Sequence, residues 1–214
     1  MQKIKTVFKI DRETGLAIPE VMPDSTWCLQ DDARATEKHD GRAAAVIEGK
    51  LYVRYDRKIQ DKYRHLVGKV EITEDMLKDK PLEGIACEEL HDPKTGHHPF
   101  WVPPTEQWIL DAFEQYKKEV ELPDGTYELV GPKVRCNVYG LKQHEFWRHG
   151  KTVVDLKDRS FEGLKQFLKE NPRLEGIVFQ KVENNICLFA KVRQKDFGFE
   201  WNSAAEGVRA KRKR

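Results

Sequence analysis

Lys38-His39-Asp40-Gly41 is the segment whose residue types best suit covalent chemistry. A lysine amine is a poor nucleophile while protonated. It becomes a good one where a desolvated, cationic setting lowers its pKa, or where metal and phosphate contacts align it with its target. Gly41 permits a tight turn and close backbone approach to a ligand, and Asp40 can hold that turn or orient the lysine. A Lys-x-Asp-Gly string is also a common surface turn, so its meaning depends on what accompanies it. Tyr127-Glu128-Leu129-Val130-Gly131 and Glu175-Gly176-Ile177-Val178-Phe179 each set a carboxylate among apolar, strand-forming residues. A carboxylate so placed must be paired or solvated. In Lys191-Val192-Arg193 two cations share one face of a strand, because side chains alternate with period two.

The elements that would carry these residues are mainly strands. AAAVIEGKLYVRY predicts a hairpin turning at Glu48-Gly49, and GIVFQKVENNICLFAKV a second turning at Asn184-Asn185. TYELVG predicts a short strand. Thr105 to Val120 predicts a helix, with Pro104 before it, Thr105 as cap, and Trp108, Ile109, Ala112, Phe113 and Tyr116 at helical spacing. Phe161 to Glu170 predicts another, capped by Asp158 or Ser160 and stopped at Asn171-Pro172. His91 to Pro104, rich in Pro, Gly and His, predicts a loop. The pattern predicts one α+β domain over residues 1–206, followed by a basic tail, 207–214, expected to be disordered.

The chain of 214 residues is long enough to bury a core, and its 35% charged and 39% apolar residues suit a globular protein. A net charge of +2 sets no global field, so any nucleic-acid site must come from local clustering. No apolar run reaches membrane-spanning length and no secretory leader is apparent. Cys28, Cys87, Cys136 and Cys187 are scattered without a C-x-x-C pair, which argues for reduced thiols in a cytoplasmic or other reducing compartment and against a zinc site. The P-loop and G-x-G-x-x-G strings are absent.

The order Lys38, Glu128, Glu175, Lys191 resembles the motif series of covalent nucleotidyltransferases: ATP-dependent DNA and RNA ligases and messenger-RNA capping enzymes. These carry a nucleotide on lysine as a phosphoramide. Lys38 matches motif I (K-x-D-G), Glu128 motif III, Glu175 motif IV and Lys191 the first lysine of motif V. Further segments, LYVRYDRK, DPKTGHHPFWVP, ELVGPKVRCNVYGL, His149-Gly150 and EGIVF with AKVRQKDFGFEW, are similar to those of the small 5′-to-3′ RNA ligase family found in animals and related to phage T4 RNA ligases. The likeness spans residues 25–201.

The resemblance implies an ATP-grasp-like nucleotidyltransferase domain, with antiparallel sheets flanking a nucleotide cleft; the 23 residues after Lys191 are too few for a C-terminal OB-fold, so none is expected. The resemblance also implies a monomer that takes ATP and Mg²⁺ (or Mn²⁺) and joins RNA 5′-phosphate and 3′-hydroxyl ends, in three steps through lysyl-AMP. Lys38 is then the nucleophile. Glu37, Lys38, Asp40, Gly41, Arg54, Glu128, Lys191 and Arg193 are the nucleotide set. Glu175 and Glu128 are the metal candidates, and Arg57, Lys58 and Lys195 the RNA candidates. Motif V is usually Lys-x-Lys; here its second position is Arg193, whose planar fork is not a lysine's point charge. Two alternatives stay open: another covalent nucleotidyltransferase (DNA ligase, capping-type or self-adenylating protein), and a non-catalytic RNA-binding module.

Other residues invite weaker readings. His91, His97 and His98 suggest a substrate-contacting or packing loop rather than a zinc centre. His144 and His149 are candidates for phosphate contact or plain surface. Trp27, Trp101, Trp147 and Trp201 are candidates for base stacking, while Trp108 fits a helix core. Cations of the tail would attract phosphate without regard to sequence.

Overall fold

The computed structural model of the protein describes residues 4–201; the basic segment 207–214 lies outside the described residues. Among the described residues, twelve strands and two helices are joined by short 3₁₀ turns: β1 Lys5–Thr6, β2 Phe8–Ile10, β3 Ala17–Val21, β4 Arg34–Lys38, β5 Arg42–Ile47, β6 Lys50–Arg57, β7 Ile85–Ala86, β8 His98–Val102, α1 Gln107–Lys117, β9 Gly125–Val130, β10 Glu145–Arg148, α2 Phe161–Glu170, β11 Gly176–Glu183 and β12 Ile186–Arg193. The protein is therefore mixed α+β and mostly sheet. Backbone contacts divide it into two compact units interleaved in sequence. One holds Arg42–Leu129 and Gln143–Trp147; the other holds Ile4–Gly41, Val130–Lys142 and the chain from Arg148 onward.

In the second unit the sheet order is β1-β12-β11-β4. β11 pairs antiparallel with β12, as the hairpin reading predicts, and also with β4, but β1 joins β12 in parallel. Two residues of β1 give no periodicity from which that pairing could be read. The β11–β12 hairpin turns where Asn184 and Asn185 adopt φ 50° and 63°, both left-handed, the condition for a type I′ turn. Residues opposite one another across the ladders share a face, so Ala35, Ile177, Phe179, Ala190 and Val192 form one side. That side is core. It packs with Val7, Phe8, Cys28 and Phe197, and with Leu164 and Leu168 of α2. Ser160 caps α2, its hydroxyl accepting from the Gly163 N–H at 3.1 Å. Buried Gln194 donates to the carbonyls of Leu168 (2.7 Å) and Asn171 (3.1 Å), satisfying groups at the other end of the helix. The opposite side of the sheet carries Thr36, Lys38, Gly176, Val178, Lys191 and Arg193.

In the first unit the order is β10-β9-β5-β6-β8-β7. Glu48 and Gly49, with φ 51° and 73°, make the β5–β6 turn. Ala44, Val46, Leu51, Val53, Phe100, Tyr127 and Leu129 are buried, as are Ile109, Ala112 and Phe113 of α1. Phe113 meets Phe146 edge-on at 5.7 Å. Two expectations change here. His98–Val102, read as part of a loop, is strand β8, with Trp101 opposite Arg54 and Pro99 opposite Asp56. Pro99 is tolerated near the strand's start, and the apolar run after it outweighs the loop-like composition before it. Helix α1 begins at Gln107 with Glu106 as N-cap and no side-chain cap bond, so Thr105 does not cap it. Pro103 and Pro104 hold Val102 and Pro103 out of the helical region, and the first helical residue comes only at Gln107, after an extended Glu106. Among the described residues no helix is long and apolar enough to cross a membrane.

Candidate functional site

Three strand ends gather the charged residues of the second unit. Lys38 closes β4, Glu175 immediately precedes β11, and Arg193 closes β12; Gly176 lies opposite both Lys38 and Arg193. The backbone of Glu175 is pinned because the Gln194 N–H donates to its carbonyl at 2.9 Å. Gly176 lets β11 and β12 close together there: an added Cβ would lie 2.1 Å from the Val192 carbonyl oxygen. So placed, the Lys38 Nζ donates to Glu175 Oε2 at 2.6 Å, with the two side chains 22% and 12% exposed. Partial burial makes the pair stronger than a surface ion pair, and makes leaving either member alone expensive.

Lys191 lies two residues from Arg193 on the same face, with Val178 opposite it. Burial, then the nearby charges of Arg193 and Lys38, bring its amine down to about 8; Glu175 and Asp196 oppose this. The guanidinium of Arg193 is held by the carboxylate of Asp196, at 2.7 Å from Nη2 and 3.1 Å from Nε. Arg193 thus comes to the cluster with a partner of its own, which sequence reading missed. Lys195 is exposed on the 3₁₀ turn after β12.

The loop after Lys38 is fixed from a distance. The Asp40 N–H donates to Tyr139 Oη at 2.7 Å, and Asp40 Oδ2 accepts from Trp201 Nε1 at 3.0 Å. Arg135 Nε donates to the Gly41 carbonyl at 3.2 Å and lies 3.5 Å from Asp40 Oδ1. Trp201, read as a candidate for stacking on bases, is an anchor of this loop. Arg135 and Tyr139 sit within the segment GPKVRCNVYG, yet no local pattern marks them. Glu37 pairs with Ile177, and its N–H donates to the Thr152 carbonyl at 3.0 Å.

The remaining candidates belong to the first unit. Glu128, opposite Ala43, shares a sheet face with Ala45, Tyr52, Arg54 and Trp101. Arg54 Nε donates to Asp56 Oδ1 at 2.8 Å, and the His97 ring lies 3.2 Å from the same oxygen. These contacts hold the Asp56 carboxyl far below the usual carboxylate range, the hydrogen bond from His97 being the largest cause. His97 therefore serves Asp56 and Arg54. Arg57, a candidate for RNA, is 5% exposed, donates from Nε to the Lys78 carbonyl, and pairs with Glu74 at 2.7 Å. Lys58 is exposed. His98 is buried, with Nε2 3.0 Å from the Glu88 carbonyl, and His91 Nε2 lies 2.6 Å from the Ile72 carbonyl. Trp108 is half-buried with its ring 4.9 Å from that of His144; Ile109, Ala112 and Phe113 are the buried residues of α1.

Among the described residues no group of three or more His, Cys, Asp and Glu side chains is gathered for a metal ion. A hard divalent ion such as Mg²⁺ does not need one, since it keeps waters and binds through one or two carboxylates plus substrate phosphates. The carboxylate of Glu175, beside Lys38, fits that role. No protein-family model matches the chain, and no curated protein matches it significantly.

Proposed function

We propose that the protein is an ATP-dependent RNA ligase, a covalent nucleotidyltransferase with an ATP-grasp-like fold. The observation that carries the proposal is the 2.6 Å contact between Lys38 and Glu175, residues 137 apart in sequence, in a charge cluster that includes Lys191. The residues at motif I, IV and V positions meet, and they supply a nucleophile, an acid and a cation.

The chemistry follows from their types. Lys38 must shed a proton to attack, and the Glu175 carboxylate, already hydrogen-bonded to Nζ, can accept it. The amine nitrogen bonds to the α-phosphorus of ATP as the bond to the bridging oxygen breaks and pyrophosphate departs. Lys191, with Arg193 beside it, offers positive charge to the phosphate oxygens as the transferred group moves. A divalent ion held through Glu175 would supply charge neutralisation to the phosphates. A 5′-phosphate oxygen of RNA then displaces the lysine and takes the AMP. A 3′-hydroxyl finally attacks that activated phosphate, forms the phosphodiester and releases AMP.

The test is intact-mass analysis after incubation with ATP or GTP and Mg²⁺. The expected result is one AMP per chain from ATP, absent in Lys38→Ala, and discharged by 5′-phosphorylated RNA with sealing to a 3′-hydroxyl end. Charging by GTP alone would move the protein to the capping enzymes, and preferential sealing of DNA to the DNA ligases. No adduct with either nucleotide would leave a binding module.

A further inference from the structure

The Lys38–Gly41 loop is held more elaborately than a Lys-x-Asp-Gly turn requires. Such a turn closes through its own aspartate and glycine. Here its partners come from far along the chain, with sequence separations of 99 for Tyr139, 94 for Arg135 and 161 for Trp201. The three act on adjacent atoms: Tyr139 on the Asp40 N–H, Trp201 on Asp40 Oδ2, Arg135 on the Gly41 carbonyl. They also meet one another and the loop. The Tyr139 ring lies 6.4 Å from that of Trp201 and 6.5 Å from that of His39.

The segment that delivers Arg135 and Tyr139 is itself strained. Arg135, Cys136 and Asn137 have φ of 46°, 55° and 53°, three consecutive side-chain-bearing residues in the left-handed region. Such a run persists where its surroundings over-determine it. The Asn137 side chain does so in part, donating to the Leu141 carbonyl and accepting from the Leu141 N–H, both at 2.9 Å.

We infer that Arg135, Tyr139 and Trp201 form a clamp on the Lys38–Gly41 loop and are positioning residues for the Lys38 amine. The clamp fixes the residue two after the nucleophile, while the β4–β11 ladder and Glu175 fix the nucleophile itself. The link to catalysis rests on the proposed lysyl-AMP chemistry; the clamp does not.

The experiment has two arms, run on the full chain with Tyr139→Phe and Trp201→Phe. Each removes one hydrogen-bonding group and keeps an aromatic ring. The first arm uses no nucleotide: acetic anhydride labels amines, and the Lys38 rate is read by mass spectrometry against exposed Lys50. Both variants are expected to raise the Lys38-to-Lys50 ratio by about threefold as the loop loosens. The second arm measures single-turnover charging with ATP. Its rate at saturating ATP is expected to fall roughly tenfold, with half-saturation unchanged. Wild-type ratios and wild-type charging in both variants would overturn the clamp. So would weaker ATP binding at an unchanged maximal rate. A wild-type chain that never charges would sink the ligase reading alone, and the labelling arm would then decide the clamp. Tyr139→Phe removes a single oxygen, so it decides the matter if Trp201→Phe loses its fold.

Discussion

On the six-stranded sheet three strand arginines each meet an acid: Arg42 with Glu106 at 2.5 Å, Arg54 with Asp56 at 2.8 Å, Arg57 with Glu74 at 2.7 Å. At the strand ends of the four-stranded sheet, three cations share two acids. Lys38 has Glu175, Arg193 has Asp196, and Lys191 is the surplus. The residue types follow the arrangement. An arginine stays charged at every pH a protein survives, so a buried one must bring its counter-charge. A lysine can lose its proton, and a surplus buried cation is tolerable only as lysine. The first arrangement holds a sheet together. The second leaves one more cation than acid beside Lys38.

Removing the nucleophile gives the largest effect. Lys38→Ala should lower covalent charging by more than about a thousandfold, since no neighbouring group repeats an amine at that place. Intact mass after incubation with ATP reads it. Charging that survives the substitution would mean that another residue carries the nucleotide, and the contrast between the sheets would lose its meaning.

Gly176→Ala comes next. Its Cβ would fall 2.1 Å from the Val192 carbonyl oxygen and 2.9 Å from the Arg193 Cα, both backbone atoms. β11 and β12 would have to separate in the row that joins Lys38 to Arg193. About 3 kcal/mol of stability should be lost, read by urea unfolding, along with most of the charging. A variant as stable as wild type would show that the strands are less tightly closed there than the geometry requires.

On the other sheet the effect should fall on stability alone. Arg57→Ala removes a buried guanidinium that serves Glu74 and the Lys78 carbonyl. Glu74 is half exposed and regains water, so the loss should be about 2 kcal/mol. AMP charging at a temperature where the variant is folded should match wild type. Unchanged stability with impaired RNA sealing would return Arg57 to the RNA contacts that its position in sequence suggested.

These contrasts were unevenly legible in the sequence. Both hairpins announced themselves, because a two-residue left-handed turn favours Gly and Asn, and Gly49 in one and Asn184-Asn185 in the other supply them. The cap candidates Asp158 and Ser160 and the Asn171-Pro172 stop did the same for α2. Lys38, Glu175 and Lys191 could be singled out because their order resembles the motif series of covalent nucleotidyltransferases. The clamp could not: Arg135, Tyr139 and Trp201 owe their meaning to Asp40 and Gly41, which are distant in sequence. Nor did anything near Gly176 reveal that β12 presses on it. Strand β8 was hidden by His98 and Pro99 within it and by His97, Pro103 and Pro104 beside it. Arg57 and Arg54 look alike on one strand, and only the fold shows the first buried and spoken for.

The smallest expected effect tests the surplus charge itself. The Lys191 amine falls from an ordinary 10.5 to about 8 in the folded protein. Below pH 8 folded and unfolded chains both hold the proton, so Lys191 adds no pH dependence. Between about 8 and 10.5 the unfolded chain holds more protons, and folded stability must rise with pH. Other groups titrate in that range too, so the quantity to measure is wild-type stability minus that of Lys191→Met. It should climb by up to about 3 kcal/mol across the window and then level off. Urea unfolding at pH 7.5, 9 and 10.5 suffices. Saturating pyrophosphate should flatten the climb, because a bound anion restores the reason to stay charged. A flat difference without pyrophosphate would mean that Lys191 is already balanced like the arginines of the other sheet, and the charge contrast between the two would be lost.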